Sequence, residues 1–171
     1  MNCSKPVYLA ALITAAAFSI TTAHADNSLV NFKSMSPETA LELAQASLAS
    51  CGALGYQVSV VVVDRMGIPQ VMLRDRYAGP HTPDTARRKA WTAVSFRSDT
   101  LLLAQTTGPD SSQSGARQIS DALMLGGGMP VMASGSIVGG VGISGAPSGE
   151  ADHKCAEAGI NAVLEKLELA D

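Results

Sequence analysis

The segment that follows Gly79 carries the side chains of this chain that are best suited to bind a ligand. His81 stands in a loop just before a predicted helix, next to Gly79 and Pro80. Imidazole is the commonest metal-binding side chain and also transfers protons near neutral pH. His81 is therefore a candidate metal ligand, with an exposed loop histidine as the alternative interpretation. His153, in contrast, falls at the edge of an apolar helical stripe, and that position favours packing.

Three consecutive cations, Arg87, Arg88 and Lys89, follow in the first turns of the same predicted helix. Positive charges there oppose the helix dipole, and each costs about 0.3 to 1 kcal/mol. An anion should therefore compensate for them. For Arg88 the spacing favours an ion pair with Asp84, four residues earlier. For Arg87 and Lys89 two interpretations stay open, an internal acid or the carboxylate of a bound ligand.

Other candidates flank this segment. Arg74, at the end of a predicted hairpin, is a further cation for a ligand carboxylate. Asp64 either holds the hairpin turn, which is the favoured interpretation, or lies at the edge of a site together with Arg65.

The aromatic residues Trp91 and Tyr77 could stack on a ligand, although Trp91 also adjoins the apolar stripe of its helix. Methionines are more often core filler than the lining of a ligand slot, and both interpretations apply to Met66, Met72, Met124, Met129 and Met132.

A glycine motif near the C-terminus resembles a nucleotide-binding turn. Gly140, Gly142 and Gly145 have the G-x-G-x-x-G spacing, but that fingerprint needs a second strand and an acidic residue about 20 positions later. A helical pattern fills nearly all of the remaining chain, so a dinucleotide is excluded. We interpret these glycines as places where a helix or a neighbouring subunit approaches a strand closely. Gly145 then borders a pocket, where the amides of the next helix could attract an anion.

The composition and the remaining motifs exclude further classes of function. The formal net charge is −3 and the cations are scattered, whereas proteins that bind nucleic acid concentrate basic residues on one face. A C-x-x-C redox or zinc motif is absent from the sequence. Ser144 lacks the G-x-S-x-G elbow of a serine hydrolase. We therefore expect neither a nucleic-acid partner nor a Ser-His-Asp mechanism, and enzymatic activity stays open.

The N-terminus has the pattern of a secretory signal peptide. Lys5 provides a basic start, residues 7–20 are apolar, and an A-x-A cleavage site ends at Ala25. The apolar stretch is shorter than the roughly 20 residues that a membrane-spanning helix needs. We expect residues 1–25 to be removed and residues 26–171 to form a single periplasmic or secreted domain.

Two cysteines, Cys51 and Cys155, remain after that cleavage. In an oxidising compartment they could form one disulfide, and the alternative is a pair of separate buried thiols. The sequence does not decide between them, because bridging requires that the two sites lie close together in the fold.

Hydrophobic periodicity predicts the order helix, β hairpin, helices, β hairpin, helix. The second helix has Thr82 as its predicted N-cap and Pro83 at its first position. This order indicates an α+β sandwich with helices packed on an antiparallel sheet. The predicted helices cover residues 36–52, 81–98 and 149–168, and the predicted strands cover residues 57–63, 70–73, 131–133 and 137–144.

Four segments, in order, resemble the GlcG/HbpS family of haem-associated proteins: VVVVDRMGIP, GPHTPDTARRKAWTA, LGGGMPV and IVGGVGISGAPSGEADHKCAEAG. The resemblance covers about residues 36–168. It implies a profilin-like fold with a five-stranded antiparallel sheet, and a homo-oligomer. It also implies haem as a ligand, but no shared haem-binding motif, so the binding residues must be argued from this chain.

Three hypotheses follow. The first is a secreted or periplasmic haem-binding protein, with iron near His81 and the propionates near Arg87 or Lys89. The second is a protein or enzyme that binds a small organic acid, with Arg87 or Arg74 as the carboxylate clamp and His81 as an acid or base. The third is an oligomeric assembly protein without a ligand. The candidate binding residues are His81, Arg87, Lys89, Arg74 and Gly145.

Overall fold

A computed structural model describes Met1 and residues 28–170 of the chain. The predicted signal peptide therefore lies, apart from Met1, outside the described residues. Contacts divide the chain into two units, Met1–Asn31 and Phe32–Asp171. The described residues of the first unit belong to neither a helix nor a strand. All elements below lie in the second unit.

The elements follow the predicted order. No helix within residues 28–170 combines the length and the apolar character that crossing a bilayer requires. The elements are α1 (Pro37–Ala53), β1 (Ser59–Asp64), β2 (Pro69–Arg74), α2 (Thr82–Phe96), α3 (Thr100–Thr106), a 3₁₀-helix (Ser114–Gln118), β3 (Gly128–Ala133), β4 (Ser136–Ser144) and α4 (Gly149–Glu168).

The sheet has the strand order β2-β1-β4-β3, and every neighbouring pair is antiparallel. The expectation of an α+β fold with helices on an antiparallel sheet is confirmed. The expected number of five strands is wrong, because the described part of the chain forms four. The segment between α3 and β3 is rich in Gly, Ser and Pro, and it forms a 3₁₀-helix and turns. Such residues favour turns over a further strand.

Strand β1 is central and covered on both faces, as its continuous valine run predicts. Because side chains alternate along a strand, Val60 and Val62 enter the main core with α1 and α4. Val61 and Val63 instead pack under α2, beside Ala86. The sheet is thus a middle layer, with α2 on one face and the pair α1 and α4 on the other.

The glycines of β4 allow α2 to lie directly on the sheet. A Cβ atom at Gly142 would overlap the carbonyl oxygen of Ala86, and one at Gly140 would collide with Val94. The interpretation of close approach is therefore confirmed, and the approaching element is a helix of the same chain. Backbone contact at this distance fixes α2, and with it the positions of His81 and Lys89.

Side chains cap three of the helices. The hydroxyls of Ser36 and Ser148 accept the backbone N–H groups of Thr39 and Ala151, and the carboxylate of Asp99 caps α3 in the same way. These contacts satisfy N–H groups that have no partner within the helix.

The start of α2 differs from its prediction. The N-cap is His81, whose side chain makes no capping hydrogen bond. Thr82, the predicted N-cap, is already helical, and its hydroxyl is buried between Ser59, at 2.7 Å, and the carbonyl of Gly79, at 2.8 Å. The prediction was wrong because the hydroxyl found a partner on β1, far away in the sequence.

A disulfide between Cys51 and Cys155 joins α1 to α4, with Cα atoms 5.5 Å apart. Both cysteines are fully buried. The structure thus selects the disulfide over two separate thiols. The same two helices touch closely at Gly159, where a Cβ atom would collide with Ser47.

Candidate functional site

A cleft of about 760 Å³ opens where the N-terminal end of α2 meets the link between β4 and α4. This volume lies within the range of about 300 to 1,000 Å³ that is typical of small-molecule pockets. We call it the α2 N-terminal cleft. It is lined by Gly55, Tyr56, Gln57, Tyr77, Gly79, His81, Thr82, Thr85, Arg88, Lys89, Leu123, Leu125, residues 144–149 and Asp152.

His81 lies at the mouth of the cleft and is exposed. A Cβ atom at Gly79 would approach the imidazole Cε1 to 2.8 Å, so the absence of a side chain there makes room for the ring. Within the described residues, no hydrogen bond to either ring nitrogen is found. Tyr77, which is 77% exposed, lines the same mouth. The ring nitrogens of His81 are therefore available to a ligand.

Lys89 and Asp152 form a buried ion pair at the floor of the cleft. The Nζ of Lys89 donates to Asp152 Oδ2 at 2.7 Å and to the carbonyl oxygen of Ile143 at 2.8 Å. The other carboxylate oxygen of Asp152 accepts the N–H of Ala146 at 3.0 Å. The two residues are only 1% and 4% exposed. Lys89 thus has an internal acid as its partner, which was one of the two open interpretations.

Burial shifts both groups of this pair towards their neutral forms. Loss of hydration lowers the pKa of Lys89 and raises the pKa of Asp152, while their mutual attraction opposes both shifts. The hydrogen bond from Ala146 also favours the charged carboxylate. Removing one member of such a pair strongly destabilises the fold, because the other charge would be left buried and unpaired.

Asp152 was not singled out from the sequence. An acid in the first turn of a helix is already explained by the helix dipole, so its position carries no signal of a buried partner.

The nearby Gly145 has a φ of 130°, and a Cβ atom there would lie 2.5 Å from the carbonyl oxygen of Gln57. Gly145 lines the cleft, as predicted. Its backbone conformation is one that glycine adopts without strain.

Arg87 pairs with internal acids, which was one of its two open interpretations, whereas Arg88 lacks the acid predicted for it. Arg87, which does not line the cleft, bridges Asp84 at 3.0 Å and Asp121 at 2.8 Å. Arg88 donates to the carbonyl oxygens of Ala122, at 2.9 Å, and Asp121, at 3.4 Å. The expected pair of Arg88 with Asp84 is therefore wrong. Because neighbouring residues of a helix point in different directions, Arg87 faces Asp84 while Arg88 lines the cleft.

Arg74 is not among the residues that line the cleft. It is exposed, and its guanidinium donates to the carbonyl oxygen of Ala78 within the loop that precedes α2. Asp75 in the same loop accepts the N–H of Val58. Asp64 holds the β1–β2 turn by accepting the N–H groups of Met66 and Ile68, as its favoured interpretation predicted.

The structure thus brings together three of the five predicted binding residues, His81, Lys89 and Gly145, and adds Arg88. Arg87 and Arg74 are not among the lining residues of the cleft. Within residues 28–170, no cluster of three or more His, Cys, Asp or Glu side chains could hold a bare metal ion. Haem iron carries four porphyrin nitrogens and needs only one or two protein ligands, so one free imidazole in a cleft that is also lined by a cation fits it.

Fold and cleft together define a small α+β protein with a ligand-sized cleft, one free imidazole and one lining guanidinium. The family described as haem degrading protein HbpS-like matches residues 35–161, and the chain belongs to that family. It is therefore a member of a family of haem-associated proteins.

Solved structures and a relative agree with this assignment. A double mutant of HbpS from Streptomyces reticuli is 36% identical, with a TM-score of 0.76, over 91% of this chain and 98% of that chain. A PduOC:heme complex is 30% identical, with a TM-score of 0.71, over 75% of this chain and 94% of that chain. An uncharacterized 15.0 kDa protein of Citrobacter freundii, from the dhaT-dhaS intergenic region, is 30% identical over 74% of this chain and 89% of its own length.

Proposed function

We propose that this protein is an exported haem-binding protein and that haem enters the α2 N-terminal cleft. The observation that carries the proposal is the free imidazole of His81 at the mouth of a cleft of about 760 Å³. The likeness to a chain that forms a complex with haem supports the choice of ligand. When bound, haem would supply an iron centre that needs an axial donor from the protein.

In this proposal His81 is the axial donor and Arg88 faces the propionates. Lys89 is less suited to that role, because its ammonium already has two partners and is almost fully buried. Arg88 uses its guanidinium for backbone carbonyls. A guanidinium has five N–H donors, so some remain for a carboxylate.

Apolar and aromatic side chains of the cleft suit the porphyrin face. Tyr56, Leu123, Leu125 and Pro147 line it, and Leu125 is 45% exposed. Covering such side chains with a flat apolar ring removes their surface from water, which favours the complex.

Location and assembly belong to the same proposal. The signal pattern of residues 1–25 supports export. Exposed apolar side chains on and beside the edge strand β2, Ile68 and Met72, support association of several copies. Localisation of a tagged full-length chain and the molar mass of the purified protein in solution test these two points separately.

The binding experiment is a titration of residues 26–171 with haemin, followed by the Soret absorbance. We expect a saturable shift for the parent chain, a loss of affinity of about tenfold or more for His81→Ala, and a smaller loss for Arg88→Gln. His153→Ala is the matched control, because His153 lies on α4 and does not line the cleft. A parent chain without a saturable shift would overturn haem binding. An unchanged spectrum and affinity in His81→Ala would overturn the role of His81.

A further inference from the structure

A second cavity, of about 640 Å³, lies at the opposite end of α2. It is formed by the turn between β1 and β2, the C-terminal end of α2, and the turn between β3 and β4. We call it the α2 C-terminal pocket. It shares no lining residue with the α2 N-terminal cleft, so its ligand is a separate question from haem.

Two guanidiniums, those of Arg65 and Arg97, line this pocket, and no carboxylate does. In the part of the chain that the structure describes, neither arginine has a carboxylate within 4.0 Å. The acids nearest in sequence, Asp64 beside Arg65 and Asp99 beside Arg97, each use an oxygen to accept backbone N–H groups. Arg65 lies over the ring of Phe32, 4.5 Å from its centroid. The pocket thus presents two positive charges and no internal anion to match them.

The backbone of Arg97 is unusual for the residue it carries. Arg97 caps the end of α2 with φ 54° and ψ 38°, in the left-handed region. Glycine is preferred at such a position because it adopts this conformation without strain. A cation near a helix C-terminus interacts favourably with the dipole, which accounts for the charge. The dipole does not account for the left-handed backbone, which a glycine would adopt with less strain.

The remaining walls are aromatic and apolar. The indole of Trp91 is half-buried in the pocket, and a Cβ atom at Gly67 would lie 2.7 Å from its Cδ1. Gly67 therefore leaves the space that the indole occupies. Met66 and Met132, both exposed, form the sides. Flat aromatic rings stack on indole and on guanidinium planes, while arginine binds carboxylates in bidentate fashion.

The geometry points to a second ligand site here, for a small aromatic carboxylate. Its ring contacts Trp91 and the methionines, and its carboxylate faces Arg65 and Arg97. The paired charges select an anion, and the apolar walls select an anion with an apolar body over a bare inorganic ion. This site goes beyond the proposed haem function and does not depend on it.

Trp91 is the single tryptophan of the chain, so its fluorescence reports on this pocket. The experiment is a titration of haem-free protein with benzoate, with benzyl alcohol and inorganic phosphate as probes that lack the charge or the ring. We expect a saturable change with benzoate, and binding at least tenfold weaker for the other two. Arg97→Gly should weaken benzoate binding by about tenfold, because it removes one of the two guanidiniums.

Arg76→Gln is the matched control, since Arg76 is exposed and lines neither cavity; it should bind benzoate like the parent chain. His81→Ala should also bind benzoate unchanged, which separates this site from the haem proposal. The absence of a saturable change with benzoate would overturn the proposal. Equal responses to benzoate and phosphate, or an Arg97→Gly variant that binds benzoate like the parent, would overturn it as well.

Discussion

At the scale of single residues, the pair Lys89 and Asp152 connects the elements that form the α2 N-terminal cleft. It links the middle of α2 to the first turn of α4, and its third partner is the backbone of Ile143 on β4. The ammonium and the carboxylate lie 2.7 Å apart with almost no exposure to water. Three elements that form the cleft therefore meet at two side chains.

Removing one member of this pair should destabilise the protein strongly. We expect Lys89→Met to lower the free energy of unfolding by about 3 to 5 kcal/mol, because Asp152 is left charged and unpaired. The double variant Lys89→Met with Asp152→Leu should recover part of that loss, since no buried charge remains. Urea unfolding measures both. A double variant that is less stable than Lys89→Met alone would contradict this account.

Asp121 offers a test of pH dependence at the same scale. The hydrogen bond from Arg87 and its positive charge hold the pKa of Asp121 below the ordinary value of 3.8. The native state then binds fewer protons than the unfolded state just below pH 3.8. The stability that the ionised Asp121 contributes is therefore present above that pH and is lost as the pH falls through the native pKa. Asp121 has a φ of 67°, which asparagine also tolerates.

We therefore expect Asp121→Asn to be less stable than the parent at neutral pH, with the difference shrinking on acidification. Thermal unfolding followed by circular dichroism between about pH 6 and pH 2 measures the effect. Asp110→Asn serves as the control, because Asp110 is exposed and forms no ion pair within residues 28–170. A stability difference that stays constant over this range would argue against the linkage.

At the scale of elements, the decisive contact is the one between α2 and β4. The glycines of β4 bring the helix backbone against the strand backbone, so the helix has little freedom to shift. Helix α2 carries residues that line both cavities, at its two ends. The glycine pattern thus positions the helix that lines both cavities, although Gly140 and Gly142 line neither.

A methyl group at Gly142 should disrupt this packing. Its Cβ would overlap the carbonyl oxygen of Ala86, and a helix backbone cannot yield locally. We expect Gly142→Ala to cost at least about 1 to 3 kcal/mol, as other overpacked core variants do. Gly52→Ala is the matched control, since nothing lies within 4 Å of a Cβ at Gly52, near the end of α1. That variant should be slightly more stable, by about 0.5 to 1 kcal/mol. Equal stabilities of the two variants in urea would refute the packing argument.

At the scale of the whole molecule, the disulfide joins the helix that begins the domain to the helix that ends it. The bonded cysteines are 104 positions apart, so the bond closes most of the domain into one loop. Its stabilising effect acts mainly on the unfolded chain, whose freedom it restricts. The disulfide also fits an oxidising compartment, which agrees with the proposed export.

Replacing both cysteines by serine should lower the free energy of unfolding by up to about 4 to 5 kcal/mol. A reductant should lower the thermal midpoint of the parent chain and leave that of the double variant unchanged. Intact mass after alkylation, with and without reductant, checks the bond directly. Two alkylated thiols in the unreduced chain of residues 26–171 would show that the disulfide is absent.

Features that depend on neighbours a few positions apart are predictable from the amino-acid sequence alone. Ser36 and Pro37 mark the start of α1, the valine run marks the buried strand β1, and Asp64 with Gly67 marks the following turn. The family resemblance also came from the ordered motifs, and the family match confirms it. Caps, turns and periodicity are local, so their physical causes lie within one segment.

Which polar groups remain without a partner depends on the packing of the folded chain. Lys89 finds its acid 63 positions away, whereas Arg87 takes the acid that the sequence spacing had assigned to Arg88. Thr82, predicted as a helix cap, is instead a buried hydrogen-bond partner of Ser59. Partnerships of this kind depend on how helices rotate and pack on the sheet, which no local pattern specifies. The sequence therefore indicated His81 only as a candidate. The packing of α2 and α4 forms the cleft that its imidazole lines.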